Sequence, residues 1–119
     1  LYKWDGMQSS SDLRLSKDDR RPLIIRALRR SIVRKKIADY LFEISPSGSY
    51  TSEIAYHVKT TPTNVIGAIR GMESRYREDE SLISLEIVEQ TSGGKDVKLY
   101  RLTDFGKEII EQIRSSRDR

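Results

Sequence analysis

Residues 51–70 read TSEIAYHVKTTPTNVIGAIR, and the fold turns on how this stretch is divided. Thr51 or Ser52 can cap a first short helix whose buried side is Ile54, Ala55 and Val58. Lys59-Thr60-Thr61 interrupts it. Thr61 caps a second helix, and Pro62 takes its first position, where a missing N–H costs least. The apolar spacing predicts that this helix continues to about Arg77, burying Val65, Ile69, Met72 and Tyr76. The first helix is just long enough to buttress the second, and the short break lets them cross sharply. Ala55 is small enough for the two backbones to approach closely. In a helix pair of this layout the second member can lie in the DNA major groove, with its amino end towards the base edges.

Downstream the period changes. Ile83, Leu85 and Ile87 alternate with Ser84 and Glu86, which predicts a strand from Leu82 towards Gln90. Thr91-Ser92-Gly93-Gly94 is the turn, its paired glycines supplying the positive φ that a hairpin tip needs. Val97, Leu99 and Arg101 alternate with Lys98, Tyr100 and Leu102 along the return strand. Thr103 caps a last helix, Asp104 suits its positive end, and Phe105, Ile109 and Ile113 line one side. A glycine-tipped ribbon carrying Lys95 and Lys98 directly after the helix pair can reach along a DNA backbone or into the minor groove. An ordinary polar surface hairpin is the alternative.

Upstream, Pro22 suits the first turn of a helix with Leu23, Ile24, Ala27 and Leu28 on its apolar side. A longer helix from Ser31 to Ile44 places Val33, Ile37, Leu41 and Ile44 on one face, and Ser45-Pro46-Ser47-Gly48 stops it. Tyr50 and Thr51 leave room only for a minimal strand. Leu1 to Asp19 is polar, includes the run Ser9-Ser10-Ser11 and shows no sustained period. The expected organisation is a flexible amino-terminal arm over 1–19 and one domain over 20–119. Its fold class is α+β, mainly α: a winged helix-turn-helix with a two- to three-stranded antiparallel wing and a C-terminal helix.

Composition bounds the function. The chain has 119 residues, 36% apolar and 34% charged, which allows one small core. The net charge is +4, and its distribution is more telling than its size. Arg20, Arg21, Arg26, Arg29, Arg30, Arg34, Lys35 and Lys36 follow one another with no acid between Arg20 and Lys36, whereas Glu73, Glu78, Asp79, Glu80, Glu86 and Glu89 come later. Such a one-signed patch can neutralise phosphates and release their counterions; a solvated helix face is the bland reading. No stretch approaches the roughly 20 apolar residues that cross a bilayer. The amino end lacks the layout of a signal peptide, and there is no cysteine for a disulfide framework or a thiolate zinc site. A cytoplasmic location without membrane association is expected.

Other residues invite chemistry and resist it. His57, the single histidine, has only scattered carboxylates around it and is read as structural or superficial rather than as a metal ligand. Glu78-Asp79-Glu80 is read as a solvated loop, because consecutive carboxylates do not converge on one point. Tyr2 and Trp4 fall in the arm, and Tyr40 and Phe42 are expected in the core or at a dimer contact. Neither a phosphate-cradling glycine loop nor a nucleophile–base pair is found, so no enzyme, metal or cofactor is expected.

The stretch from Arg26 to Ile113 resembles the winged-helix transcriptional regulators of bacteria and archaea, and is similar in layout to the multiple-antibiotic-resistance and arsenical-repressor types. The resemblance is carried by Ala27-Leu28…Arg34…Ile37, Tyr50-Thr51-Ser52-Glu53-Ile54-Ala55, Thr61-Pro62-Thr63-Asn64-Val65 and, most tellingly, Tyr100-Arg101-Leu102-Thr103…Gly106. It implies sequence-dependent binding of double-stranded DNA, often as a homodimer. Carried over, Thr61, Thr63, Asn64 and Arg70 fall where the family contacts bases or phosphates. Gly67 falls where a small residue permits close approach. Lys95 and Lys98 match wing contacts, and Arg34 and Lys35 flanking phosphates. This chain departs from many relatives at Lys59-Thr60, where they carry Gly and an apolar residue, and at Ile66-Gly67-Ala68, where polar base readers are expected. A protein-interaction module on the same fold, within a transcription or replication assembly, is the second reading.

Overall fold

The computed structural model describes residues 17–72, 77–94 and 97–117. In chain order the described elements are α1 (Lys17–Arg30), α2 (Ile32–Ile44), β1 (Ser49–Tyr50), α3 (Thr51–Val58), α4 (Pro62–Arg70), a 3-10 turn (Glu78–Glu80), β2 (Val88–Ser92), β3 (Lys98–Leu102) and α5 (Asp104–Arg117). Helix, helix, strand, helix pair, hairpin and helix make a mainly helical α+β winged helix-turn-helix. The sheet runs β1-β3-β2 and is antiparallel throughout, with Ser49 opposite Tyr100 and Val88 opposite Leu102.

The core gathers one face from each element. Ile24, Ala27 and Leu28 of α1 meet Ile37, Ala38 and Leu41 of α2, Ile54, Ala55 and Val58 of α3, and Val65, Ala68 and Ile69 of α4. Tyr100 and Leu102 close it from β3, and Ile109 and Ile110 from α5. Val33, Ile44, Phe105 and Ile113, expected inside, pack against its edge, as do Tyr40 and Phe42. Ser31 caps α2, its hydroxyl accepting from the Arg34 N–H at 3.1 Å.

Four local expectations are corrected. Helix α1 begins at Lys17, so Pro22 lies inside it rather than in its first turn. Helix α3 is not closed by a Thr51 or Ser52 hydroxyl: the Glu53 carboxylate reaches back and accepts from the Tyr50 N–H at 3.0 Å and from Ser49 Oγ at 3.1 Å. Helix α4 ends at Arg70 because Gly71 takes φ 95°, a conformation L-residues rarely adopt. Met72 is therefore beyond the helix and Tyr76 lies outside the described residues.

Residues 83–87 are not a strand despite their alternation. The Leu82 and Ile83 N–H groups donate to the Ala68 and Ile69 carbonyls at 3.1 and 3.0 Å, satisfying acceptors that the end of α4 leaves open. The chain then coils on itself, with Ile87 N–H donating to the Leu82 carbonyl at 3.0 Å and Glu86 at φ 63°. Leu82, Leu85, Ile87 and Val88 are buried by that coil, and the strand starts only at Val88.

Candidate nucleic-acid interface

Helix α4 is set by its caps. Thr61 Oγ1 accepts from the Asn64 N–H at 3.1 Å, and Pro62 opens the helix as its sequence position demands. The turn before it is closed by Lys59 at φ 59° and ψ 52°, the left-handed conformation that ends many helices. Thr60 N–H donates to the Ala55 carbonyl at 2.9 Å, completing that closure. A glycine would meet this geometry without strain, which gives a physical meaning to the Lys59 departure.

With Val65, Ala68 and Ile69 inward, α4 turns Thr63, Ile66 and Arg70 to solvent, with Thr61 at its entrance. Ile66 is 42% exposed, at the middle of that face. Gly67 is buried with the inward set, which corrects its expected place on the approach surface. Asn64 is half-buried; its Nδ2 donates to Thr60 Oγ1 at 2.9 Å, so in this conformation the side chain braces the turn.

Arg70 stands at the carboxyl end of α4 beside a groove of about 780 Å³, shared with Gln90, Glu89 and Glu86. The carboxylates there are engaged: Glu86 by Arg20 and Glu89 by Arg101 at 2.8 Å. Arg70 has no ion-pair partner among the described residues, so its charge stays available.

The wing joins β2 to β3 through Gly93 and Gly94, Gly93 N–H donating to the Val97 carbonyl at 2.9 Å. Lys98 is exposed opposite Ser92, and Lys95 lies outside the described residues. A Cβ on Gly93 would sit 2.7 Å from Leu99 Cγ, so the tip lies flat on that side chain. The wing is seated at its base. Thr103 N–H donates to the Ile87 carbonyl at 2.9 Å, and Thr103 Oγ1 to the Glu86 carbonyl at 2.6 Å while accepting from Gly106 N–H at 2.8 Å. This explains physically why Thr103 and Gly106 stand together at the exit from the hairpin.

The basic cluster divides in two. Arg26, Arg30 and Arg34 converge on Glu80, at 3.8, 3.0 and 3.5 Å. Arg34 is 3% exposed and also donates to the Ala27 and Arg77 carbonyls. A guanidinium so enclosed cannot meet a phosphate, which corrects its expected role. Glu80 itself is buried, not part of a solvated loop; Asp79 is exposed and hydrogen-bonded by Arg77, which holds its carboxyl below the usual range. Lys35 is half-exposed and pairs with Asp39 at 3.5 Å, a contact that water screens. The importance of Glu80 escaped sequence reasoning, because its partners lie 46 to 54 residues away along the chain.

His57 is exposed and stacks on Tyr40 with ring centroids 4.7 Å apart. Among the described residues no group of three His, Cys, Asp or Glu side chains is arranged to hold a metal, and no helix is long and apolar enough to cross a membrane. Tyr2, Trp4 and the serine run lie outside the described residues.

A family model described as EarA-like matches residues 24–113. The uncharacterized protein MJ0905 of Methanocaldococcus jannaschii is 46% identical over 93 residues, covering 78% of this chain and 83% of that one. In structure the chain is similar to MepR, described as a transcription regulator of the Staphylococcus aureus multidrug efflux pump MepA. The TM-score is 0.60 at 16% identity, over 94% of this chain and 78% of that one. It is also similar to ZitR of Lactococcus lactis, with a TM-score of 0.50 at 15% identity over 71% of this chain, which spans about half (52%) of the ZitR chain. At such identities the two structures speak for the fold alone.

Proposed function

The chain belongs to the EarA-like family, and we propose that it is a transcriptional regulator that binds double-stranded DNA in a sequence-dependent way. The observation that carries this reading is the outward face of α4, where Thr63, Ile66 and Arg70 stand clear of the core on a helix braced by α3 and followed by a wing. The winged-helix fold shared with MepR and ZitR supports it. Helix α4 enters the major groove, Thr61 and Thr63 meeting phosphate or base edges and Arg70 reaching a guanine or a phosphate. Lys98, with Lys95, follows the backbone from the wing, and Lys35 adds a flanking contact. Asn64 reads adenine only if its bond to Thr60 opens. No catalytic step belongs to this reading, and its setting is the cytoplasm.

Two copies on a two-fold site would place their α4 helices about 34 Å apart. We place their association on the DNA itself. Ile24 and Ala27, at 0% exposure, belong to this chain's own core, and the half-buried Ile25 is framed by Arg21 and Arg29, whose charges oppose a second copy on that face. Sedimentation should show monomer alone and a 2:1 complex with a two-fold duplex; a stable free dimer refutes this placing.

The deciding experiment is a titration of duplex DNA against salt. About four phosphate contacts per copy give a slope of log K against log salt near −3.6. Arg70→Ala and Lys98→Ala should each make it shallower. A flat titration refutes DNA binding.

A further inference from the structure

We propose that the outer face of α1 is a docking groove for an acidic, amphipathic helix of a protein partner. Two depressions flank this face. One, of about 330 Å³, lies between α1, α2 and α5 with Leu28 and Ile113 in its wall; the other, of about 650 Å³, runs along α1 past Pro22. Both are lined by Arg21, Ile25 and Arg29, so they form one groove with Ile25 at its centre. Its floor is apolar, and every charged residue lining it is cationic.

Glu80 decides which of these cations are available. Its one carboxylate is shared by Arg26, Arg30 and Arg34 and offsets part of their charge, whereas Arg21 and Arg29 have no ion-pair partner among the described residues. Lys35 holds Asp39 only at a solvated distance of 3.5 Å. The rim therefore keeps positive charge around an apolar floor, and its complement is a leucine-like stripe flanked by carboxylates.

Duplex DNA fits less well, because phosphates gain nothing from covering Pro22 and Ile25. A second copy on the same face would set Arg21 and Arg29 against their own like charges. The groove shares only Lys35 with the residues assigned to DNA, so Arg21, Arg29 and Ile25 test this inference separately from DNA binding.

The test uses the full chain and a synthetic, fluorescein-labelled helix of about four turns with leucines on one face and glutamates beside them. Fluorescence anisotropy should show saturable binding, weakened about tenfold or more by Arg21→Ala/Arg29→Ala and by Ile25→Ser. A scrambled peptide of the same composition should bind at least about tenfold more weakly, because charge alone does not fill the floor. Circular dichroism melts check that each variant is folded; if Ile25→Ser is not, the arginine pair carries the test. Equal affinity for the scrambled peptide, indifference to the arginine pair, or absence of binding overturns the proposal. So does a result in which the arginine pair lowers affinity for duplex DNA, or shifts the sedimentation of the free chain, and leaves peptide binding unchanged.

Discussion

Gly106 lies in the first turn of α5, where alanine in an unobstructed helix would add up to about 1 kcal/mol of stability. Here the sign should reverse. A Cβ at Gly106 falls 2.2 Å from the Ile87 carbonyl oxygen and 3.0 Å from the Ile87 C and Cα atoms. Non-bonded heavy atoms settle near 3.5 Å, so the first turn of α5 must lift by about 1 Å. The obstacle is backbone, and it is already held: the same carbonyl accepts from the Thr103 N–H at 2.9 Å and from Thr103 Oγ1 at 3.2 Å. Overpacking of this kind costs about 1–3 kcal/mol, and stretching one of those hydrogen bonds about 1 kcal/mol more. Set against the helix-propensity gain, Gly106→Ala should lose about 2 kcal/mol. Unfolding entropy of about 2.1 cal/mol/K per residue over the chain turns this into a fall in Tm of about 8 °C. Thermal melts followed by circular dichroism measure it, with the exposed neighbour Lys107→Ala expected within about 0.5 kcal/mol of the parent. A Tm equal to or above that of the parent would refute the close seating of α5 on Ile87, and with it the account of the wing's base.

The remaining predictions concern the charge cluster and the interface. Glu80→Ala leaves Arg34 buried without its carboxylate and should cost about 3–5 kcal/mol in urea unfolding; a loss below about 1 kcal/mol would show that Glu80 is not the anchor. Lys59→Gly should raise stability by about 0.5–1 kcal/mol by removing left-handed strain, whereas Lys59→Ala keeps the strain and should not. If Lys59 also meets a phosphate, both variants flatten the salt dependence of DNA binding equally, which separates its two roles. Ile66 is placed to cover a thymine methyl, so replacing single thymines by deoxyuracil in a bound duplex should weaken binding about fourfold at one position, from about 0.8 kcal/mol per methyl. Ile66→Ala should abolish that difference, and survival of the difference in the variant would exclude Ile66 as its source.

Much of this protein is legible in its residues because the signals involved are short in range. Thr61-Pro62 starts α4 where it does because a cap and an absent N–H act within one turn. Ile37 and Leu41, and likewise Ile54 and Val58, are buried because residues four apart share a helix face. The glycine-tipped hairpin and the Thr103 cap follow from the same local chemistry. From these pieces in order, the winged helix and the outward setting of Thr63 and Arg70 can be read. Tertiary structure alone decided the rest. The alternation of residues 83–87 fits a strand, yet those residues coil because the end of α4 has open carbonyls that Leu82 and Ile83 reach. Arg21, Arg29 and Arg34 are chemically alike along the chain, and nothing near them says which is buried. That is settled by Glu80, which the fold brings to Arg34 and away from the outer row, so that one arginine becomes part of the core and two remain on its surface. Electrostatic pairing depends on distance in space, and a local sequence pattern does not contain that distance.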